Sequence, residues 1–193
     1  MEQALKAAYT MAERAARHLP PGMLCTTNQT IGQHVRQLGR AAEAETYMRR
    51  ALQLVEGEED GDEEFRLSIA SELDHCLESQ GKVGQTEALF RAELARPPPS
   101  RLEPAWRGPK EDTAMQITLS RRQLRCALAG LLAWQTQSEP KHEEALAIVR
   151  EIREEALADV GGDVTRLDKA DAEVWFKGAN CLHWLGREDE ALA

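Results

Sequence analysis

Apolar residues along this chain recur three and four positions apart, which is the spacing of one face of an α-helix. Ile31, Val35 and Leu38 show this spacing in one segment, and several later segments repeat it. In this first segment Thr26 or Thr27 can cap the start of the helix, and Gly32 lets a neighbouring helix approach closely. Val, Ile, Thr and Tyr do not cluster in alternation with polar residues, so the pattern predicts no β-strand. The predicted helices pair as hairpins: 25–38 with 40–55, 63–80 with a helix ending near 96, about 112–137 with 141–158, and about 164–185 with the helix that follows it.

The chain contains an internal repeat of 42 residues. Segment 37–52 matches 79–94 position by position, and 184–193 begins a third copy, with Gly39 and Gly81 at the same place in their copies. Each glycine is suited to end a first helix in the left-handed conformation. A period of this size is typical of stacked hairpins rather than of a single-core globule. We therefore predict one helical repeat array over residues 1–193.

Two features modify this array. The segment of about 97–111 contains five prolines, which lack a backbone donor and fix φ, so it is predicted to be an insertion without regular structure. Residues 2–5 resemble residues 189–192, as though the chain begins on a second helix and stops within another. This indicates a piece of a longer array, or one completed by a partner. Self-association through the uncapped terminal helices is a further possibility.

The charge argues against nucleic acid as a partner. The net charge is −9; residues 1–50 carry 7 basic and 4 acidic side chains, giving +3, and residues 51–100 carry 4 and 12, giving −8. A nucleic-acid binder needs a basic stripe that displaces counterions from phosphates. No apolar run approaches the length of a membrane span, and the first residues lack the pattern of a secretory signal. We expect a cytoplasmic protein.

The sequence offers no metal, cofactor or catalytic motif. The four cysteines lie 51, 50 and 55 residues apart, so no pair has zinc-site or redox spacing, and they are interpreted as buried thiols that pack as small apolar groups. The acidic run 56–64 lacks the spacing of a calcium loop. His75 and Cys76 are adjacent, and Cys181 and His183 are two apart, so on a helix neither pair converges as a dyad. We expect a protein that is not an enzyme.

The residues that recur in the helical repeats resemble those of the tetratricopeptide repeat, and the 42-residue period resembles its kinesin-light-chain type. In the first complete unit the packing residues of the family correspond to Ile31-Gly32, Val35, Ala44, Met48 and Ala51. In the last unit they correspond to Trp175, Gly178-Ala179, Leu182 and Ala191. The middle units are degenerate, with Leu73-Asp74 for Leu-Gly and Thr86 for Ala. The resemblance implies a right-handed α-solenoid of antiparallel helix hairpins, a tetratricopeptide-like superhelix.

The resemblance also implies a concave groove, lined by first helices, that holds a peptide or a helix. The corresponding residues are Gln29, Gln33, Arg36, Gln37, Ser71, His75, Glu78, Phe176, Asn180, His183 and Trp184. The alternative is that they are ordinary solvated positions. The Lys/Asn clamp of the chaperone-tail binders is not matched, because Gln29 and Gln33 occupy its places. Arg121, Arg122 and Arg125 form either a second site, for acidic peptides, or a solvated face.

The resulting hypothesis is a non-catalytic protein–protein interaction scaffold that binds a peptide or helix along its first helices. The alternative hypothesis is a regulatory or substrate-docking segment of a larger enzyme, which the uncapped ends suggest. Both make a protein or peptide the partner and require no cofactor.

Overall fold

A computed structural model describes residues 10, 19–56, 63–97, 110–135, 139–166, 176, 179–183 and 187. Its helices are α1 Pro21–Gln37, α2 Ala41–Glu56, α3 Glu63–Glu78, α4 Val83–Ala95, α5 Lys110–Gln135 and α6 Glu139–Asp159. A 3-10 turn, Val164–Arg166, follows, and residues 176 and 179–183 are helical. None of the described residues forms a strand, as predicted. Among the helices in these ranges, none is long and apolar enough to cross a bilayer.

The chain divides into two compact units. The first contains residues 1–89 and 98–101, and the second contains 90–97 and 102–193. Helix α4 contributes its residues up to Leu89 to the first unit and those from Phe90 onward to the second. The predicted insertion at about 97–111 lies largely outside the described residues, and the single array over 1–193 stays a prediction.

Helix α1 starts four residues before its predicted beginning, and this corrects the expected cap. Pro21 occupies the first turn, where its missing N–H would have no helical acceptor in any case. Thr26 and Thr27, predicted to cap the helix, therefore lie inside it. Their hydroxyls donate to the carbonyls of Gly22 at 3.1 Å and Met23 at 2.7 Å, four residues back.

The turns that close the first helices repeat one hydrogen-bond pattern. Gly39 and Gly81 adopt φ values of +76° and +67°, as their predicted role requires. After each, the next residue donates back to the carbonyl five residues earlier: Arg40 to Val35 at 3.2 Å and Lys82 to Leu77 at 3.0 Å. In the second unit Arg187 donates to Leu182 at 2.9 Å. This third bond lies at the equivalent place, so the repeat seen in the sequence is also a repeat of local structure.

The core of the first unit is one apolar cluster shared by α1, α2 and α3. Its residues are Cys25, Val35, Ala44, Met48, Ala51, Leu52, Val55, Ile69, Leu73, Cys76 and Leu77. The antiparallel contact of α1 with α2 is close, because the Cys25 thiol donates to the Ala51 carbonyl at 3.2 Å. Gly32 on α1 lies against Met48 on α2 in the same hairpin, so closely that a Cβ there would stand 2.9 Å from the Met48 Cε. The predicted role of Gly32 in close helix approach is confirmed.

One buried carboxylate joins the first hairpin to the next turn. Glu45 on α2 accepts hydrogen bonds from Lys82 Nζ at 2.7 Å, Gln80 Nε2 at 2.9 Å and Arg49 Nε at 3.0 Å. Burial raises the pKa of this carboxyl, but the three hydrogen bonds together outweigh burial and hold the pKa below its ordinary value. Glu45 therefore remains charged and positions the start of α4 against α2.

In the second unit, α5 packs against α6 through a similar apolar core. Its buried residues include Leu124, Leu128, Leu132, Ala145, Val149, Ile152, Cys181 and Leu182. Arg91 on α4 and Glu144 on α6 form a two-pronged pair with N–O distances of 2.7 and 2.8 Å. All four cysteines of the chain are buried thiols, as predicted.

The Gly32 contact predicts opposite effects for one substitution at two positions. Gly32→Ala should lower the free energy of unfolding by about 1–3 kcal/mol, because the added Cβ overpacks the contact with the buried Met48. Gly84→Ala should raise it by up to about 1 kcal/mol, because Gly84 is helical and its Cβ would meet no atom within 4 Å. Urea unfolding followed by circular dichroism measures both, and equal effects would contradict the close approach.

The Glu45 cluster predicts a pH-dependent loss of stability. Glu45→Gln should lower the free energy of unfolding by about 1–3 kcal/mol near neutral pH, because a neutral amide replaces a buried charged acceptor. Since the folded-state pKa is depressed, this stabilisation is fully present above the unfolded-state value of 4.5 and is lost as the pH falls through the folded-state pKa. Urea unfolding of both proteins at a series of pH values tests this. A difference that does not shrink in acid would contradict it.

Candidate peptide-binding face

The first helices of the first unit are joined by a row of polar contacts, which we call the ladder. Gln29 Nε2 on α1 donates to Ser68 Oγ on α3 at 3.3 Å. One turn further, Gln33 Nε2 donates to Glu72 Oε1 at 3.3 Å. Arg36 then pairs with Glu72, with Nη2 and Oε2 3.2 Å apart. Three of the four residues predicted on α1 therefore hold the two first helices side by side.

The ladder determines which predicted residues remain accessible. Gln29 is only 9% exposed, whereas Gln33 and Arg36 are half-buried and Gln37 is exposed. On α3, the predicted residues Ser71, His75 and Glu78 are all exposed, as is the neighbouring Ser79. These four α3 side chains recur at helical spacing on one side of the helix. The accessible part of the predicted groove in this unit therefore lies mainly on α3.

Sequence reasoning missed the two acceptors of the ladder, Ser68 and Glu72. The 42-residue period pairs Gln29 with Ser71 and Gln33 with His75, but the contacts join residues 39 apart. Equivalent positions in neighbouring repeats lie on the same face, but the side chain that contacts Gln29 or Gln33 lies about one turn before the equivalent position. A signal was present in the sequence: Ser68 lies three residues before Ser71, and Glu72 lies three residues before His75.

The face formed by these residues is negatively charged. We define the first-helix face as the accessible polar residues of the two helices: Gln33, Arg36, Gln37, Ser71, Glu72, Asp74, His75, Glu78 and Ser79. It contains three carboxylates and one guanidinium. The guanidinium of Arg36 lies against Glu72 within this face.

Asp74, His75 and Glu78 form the cluster that could hold a metal ion. One ligand atom from each lies within 4.8 Å of the others, with His75 and Glu78 exposed and Asp74 half-buried. An imidazole and two carboxylates at this distance can bind a divalent ion, but they can also bind a lysine or arginine side chain.

The His–Cys neighbours lack the geometry of a nucleophile and its base. His75 and His183 are exposed, while Cys76 and Cys181 are fully buried. Burial raises the pKa of the Cys76 thiol, and it raises the pKa of Cys181 to about 11. Both thiols therefore stay protonated at neutral pH, whereas a thiolate is the reactive form.

In the second unit, three of the four predicted residues are described. Phe176 is 64% exposed, His183 is exposed and Asn180 is half-buried. The Asn180 Nδ2 atom is buried and has no hydrogen-bond partner. Trp184 lies outside the described residues. Their part in peptide binding stays a prediction.

The arginine cluster of α5 is occupied within the chain. Arg121 donates to the carbonyls of Leu94 and Arg96 at 2.9 Å each. Arg122 is 8% exposed and donates to Asp159 at 2.7 Å. These arginines therefore stabilise the second unit; the expectation of a solvated face was wrong for Arg122.

Arg125 is occupied in the same way. It bridges two carboxylates of α6, at 2.8 Å from Glu151 and 2.6 Å from Glu155. A site for acidic peptides on the α5 arginines would have to displace all these contacts.

The fold defined by these hairpins, turns and side-by-side first helices is a tetratricopeptide-like helical repeat. No protein-family model and no curated protein matches the chain. The crystal structure of nearly identical TPR-like repeats, described as those of a kinesin light chain from Podosopora anserina, gives a TM-score of 0.67 at 14% identity, over 99% of this chain and 82% of that one. The crystal structure of BtubC (BKLC) from P. vanneervenii gives 0.53 at 14% identity, over 98% and 85%. Identity this low shows the fold alone, and it confirms the predicted fold.

The ladder predicts that Glu72 supports stability although it lies on an accessible face. Glu72→Ala should lower the free energy of unfolding by about 1–3 kcal/mol, because Gln33 loses its hydrogen-bond acceptor and Arg36 loses its ion-pair partner. His75→Ala, one turn away and exposed, should change it by less than about 0.5 kcal/mol. Urea unfolding measures both variants.

A double-mutant cycle with Arg36→Ala extends this test. The loss in Glu72→Ala/Arg36→Ala should be smaller than the sum of the single losses, since the two side chains share one interaction. Additive losses would contradict the ladder.

Proposed function

We propose that the chain is a non-catalytic interaction scaffold whose first-helix face binds an extended peptide with basic side chains. The tetratricopeptide-like fold is, in general, a fold of protein-interaction scaffolds. The observation that carries the proposal is the row of exposed polar side chains on α3, held beside α1 by the ladder.

The polar groups of this row suit a peptide backbone. An extended peptide presents N–H and C=O groups that need partners, and hydroxyl, imidazole and carboxylate groups accept or donate as needed. Because the ladder fixes the first helices before a ligand arrives, little side-chain and helix ordering remains to oppose binding.

The charge of the face selects the peptide. Asp74, His75 and Glu78 lie together, with one ligand atom of each within 4.8 Å of the others. A lysine or arginine side chain placed there forms charge-assisted hydrogen bonds, whereas an acidic one meets two like charges. The partner is therefore a peptide segment rich in basic residues.

The test uses two fluorescently labelled peptides, one alternating lysine with alanine and one alternating glutamate with alanine. Fluorescence anisotropy should show binding of the lysine peptide only. Ser71→Arg should weaken this binding about two- to fivefold, because it adds positive charge to the face.

Thr46→Arg is the matched control, since it makes the same charge change at an exposed position on α2. It should leave the affinity nearly unchanged. Equal losses in both variants would mean that only the overall charge of the chain attracts the peptide. That result, or equal binding of the glutamate peptide, would refute the proposal.

A further inference from the structure

The ladder gives a rule for how one first helix packs beside the next. Donors on the earlier helix, Gln29 and Gln33, reach acceptors on the later helix, Ser68 and Glu72. Because the chain is a repeat, the same rule can be applied to other first helices by moving along the period. The rule predicts which side chains of a first helix can accept hydrogen bonds from another first helix, and which helix can donate them.

Moving the acceptors back by 42 residues leads to Thr26 and Thr30 on α1, and both are exposed. Their hydroxyls donate to the carbonyls of Gly22 at 3.1 Å and Thr26 at 2.9 Å, which leaves the oxygen lone pairs able to accept. Met23, one turn before Thr26, is 57% exposed. We call Met23, Thr26 and Thr30 the α1 flank. It offers acceptors at the positions equivalent to Ser68 and Glu72, and it has an exposed apolar side chain at one end.

The positions equivalent to the donors Gln29 and Gln33 in the last repeat lie on the last described helix. The turn bonds Arg40 to Val35 and Arg187 to Leu182 fix this correspondence at 147 residues. Gln29 then corresponds to Phe176, and Gln33 corresponds to Asn180. The Asn180 amide nitrogen is buried without a partner, and Phe176 is 64% exposed.

We call Phe176 and Asn180 the Phe176–Asn180 strip, and this strip is complementary to the α1 flank. Asn180 is placed to donate to Thr30 as Gln33 donates to Glu72, and rotation of its side chain presents the unpartnered amide. Phe176 is placed against the Thr26 methyl group and Met23, which would remove two large exposed apolar side chains from water. Such a contact satisfies a buried donor whose isolation is unfavourable.

The charge distribution favours the same pairing. Residues 1–50 have a net charge of +3, while residues 151–193 carry 5 basic and 11 acidic side chains, giving −6. The charges of these two segments are opposite, so segment 1–50 of one copy attracts segment 151–193 of another.

We infer that the chain self-associates head to tail, with the Phe176–Asn180 strip of one copy seated on the α1 flank of a second copy. The contact joins two different surfaces of the chain, so it is heterologous. The surface involved is small, so association depends strongly on concentration.

The decisive experiment crosslinks variants that each carry one added cysteine. Thr30→Cys and Asn180→Cys are mixed under mild oxidation and run on a non-reducing gel; the four native cysteines are buried and contribute little. A disulfide-linked dimer should form in the mixture and not with either variant alone. The pair Thr46→Cys with Asn180→Cys is the control, since Thr46 is exposed on α2 away from the flank, and it should give no dimer.

Light scattering of the unaltered chain gives an independent readout. The average mass should rise above the monomer value of 21.5 kDa with concentration. Met23→Asp, at an exposed position, should abolish the rise without affecting folding. A monomer mass at every concentration would overturn the inference, and so would dimers of Thr30→Cys alone, which would show two α1 flanks pairing with each other.

Discussion

The structure of the first unit depends on one constraint: no helix there can bury its apolar side alone. The cluster that contains Val35, Met48, Leu73 and Leu77 draws on α1, α2 and α3 together, so removing any one helix would expose the other two. Small residues make this sharing possible. Gly32 and Ala51 let the α1 and α2 backbones approach until Met48 fills the space between them. The position of α3 beside α1, and with it the first-helix face, follows from this packing.

Apolar packing alone would leave the register of the hairpins loosely defined, since apolar contacts are not directional. Polar contacts supply the direction. Glu45 fixes the turn before α4 through Lys82 and Gln80, and Glu72 fixes α1 against α3 through Gln33 and Arg36. The first carboxylate is buried, whereas the second is on an accessible face. The same kind of interaction therefore stabilises the packing of the hairpins at one place and shapes the first-helix face at the other.

The sequence predicted the helices and turns well because their causes are local and repeated. Gly39 and Gly81 mark their turns through a backbone conformation that other residues rarely adopt, and the 42-residue period shows that the two turns are equivalent. The start of α1 was wrong because Thr26 was interpreted as a cap, whereas Pro21 begins the helix a turn earlier.

Contacts between neighbouring helical repeats were harder to predict. A period identifies equivalent positions, but the ladder joins residues 39 apart because neighbouring helices are displaced along their length. Arg122 illustrates the same limit: its partner Asp159 lies 37 residues away on another helix, and no pattern in the sequence links the two.

The low identity to the similar repeat structures has a physical explanation. Packing requires only apolar or small side chains at positions such as Gly32, Ala44 and Met48, and many sequences meet that requirement, so a chain 14% identical can share the fold. The accessible positions are under no such requirement. Ser71, His75 and Glu78 contribute little to packing, and their chemistry is free to differ between proteins with the same fold. The partner of this chain therefore has to be inferred from its own face, and the carboxylates of that face are the reason that we propose a basic peptide.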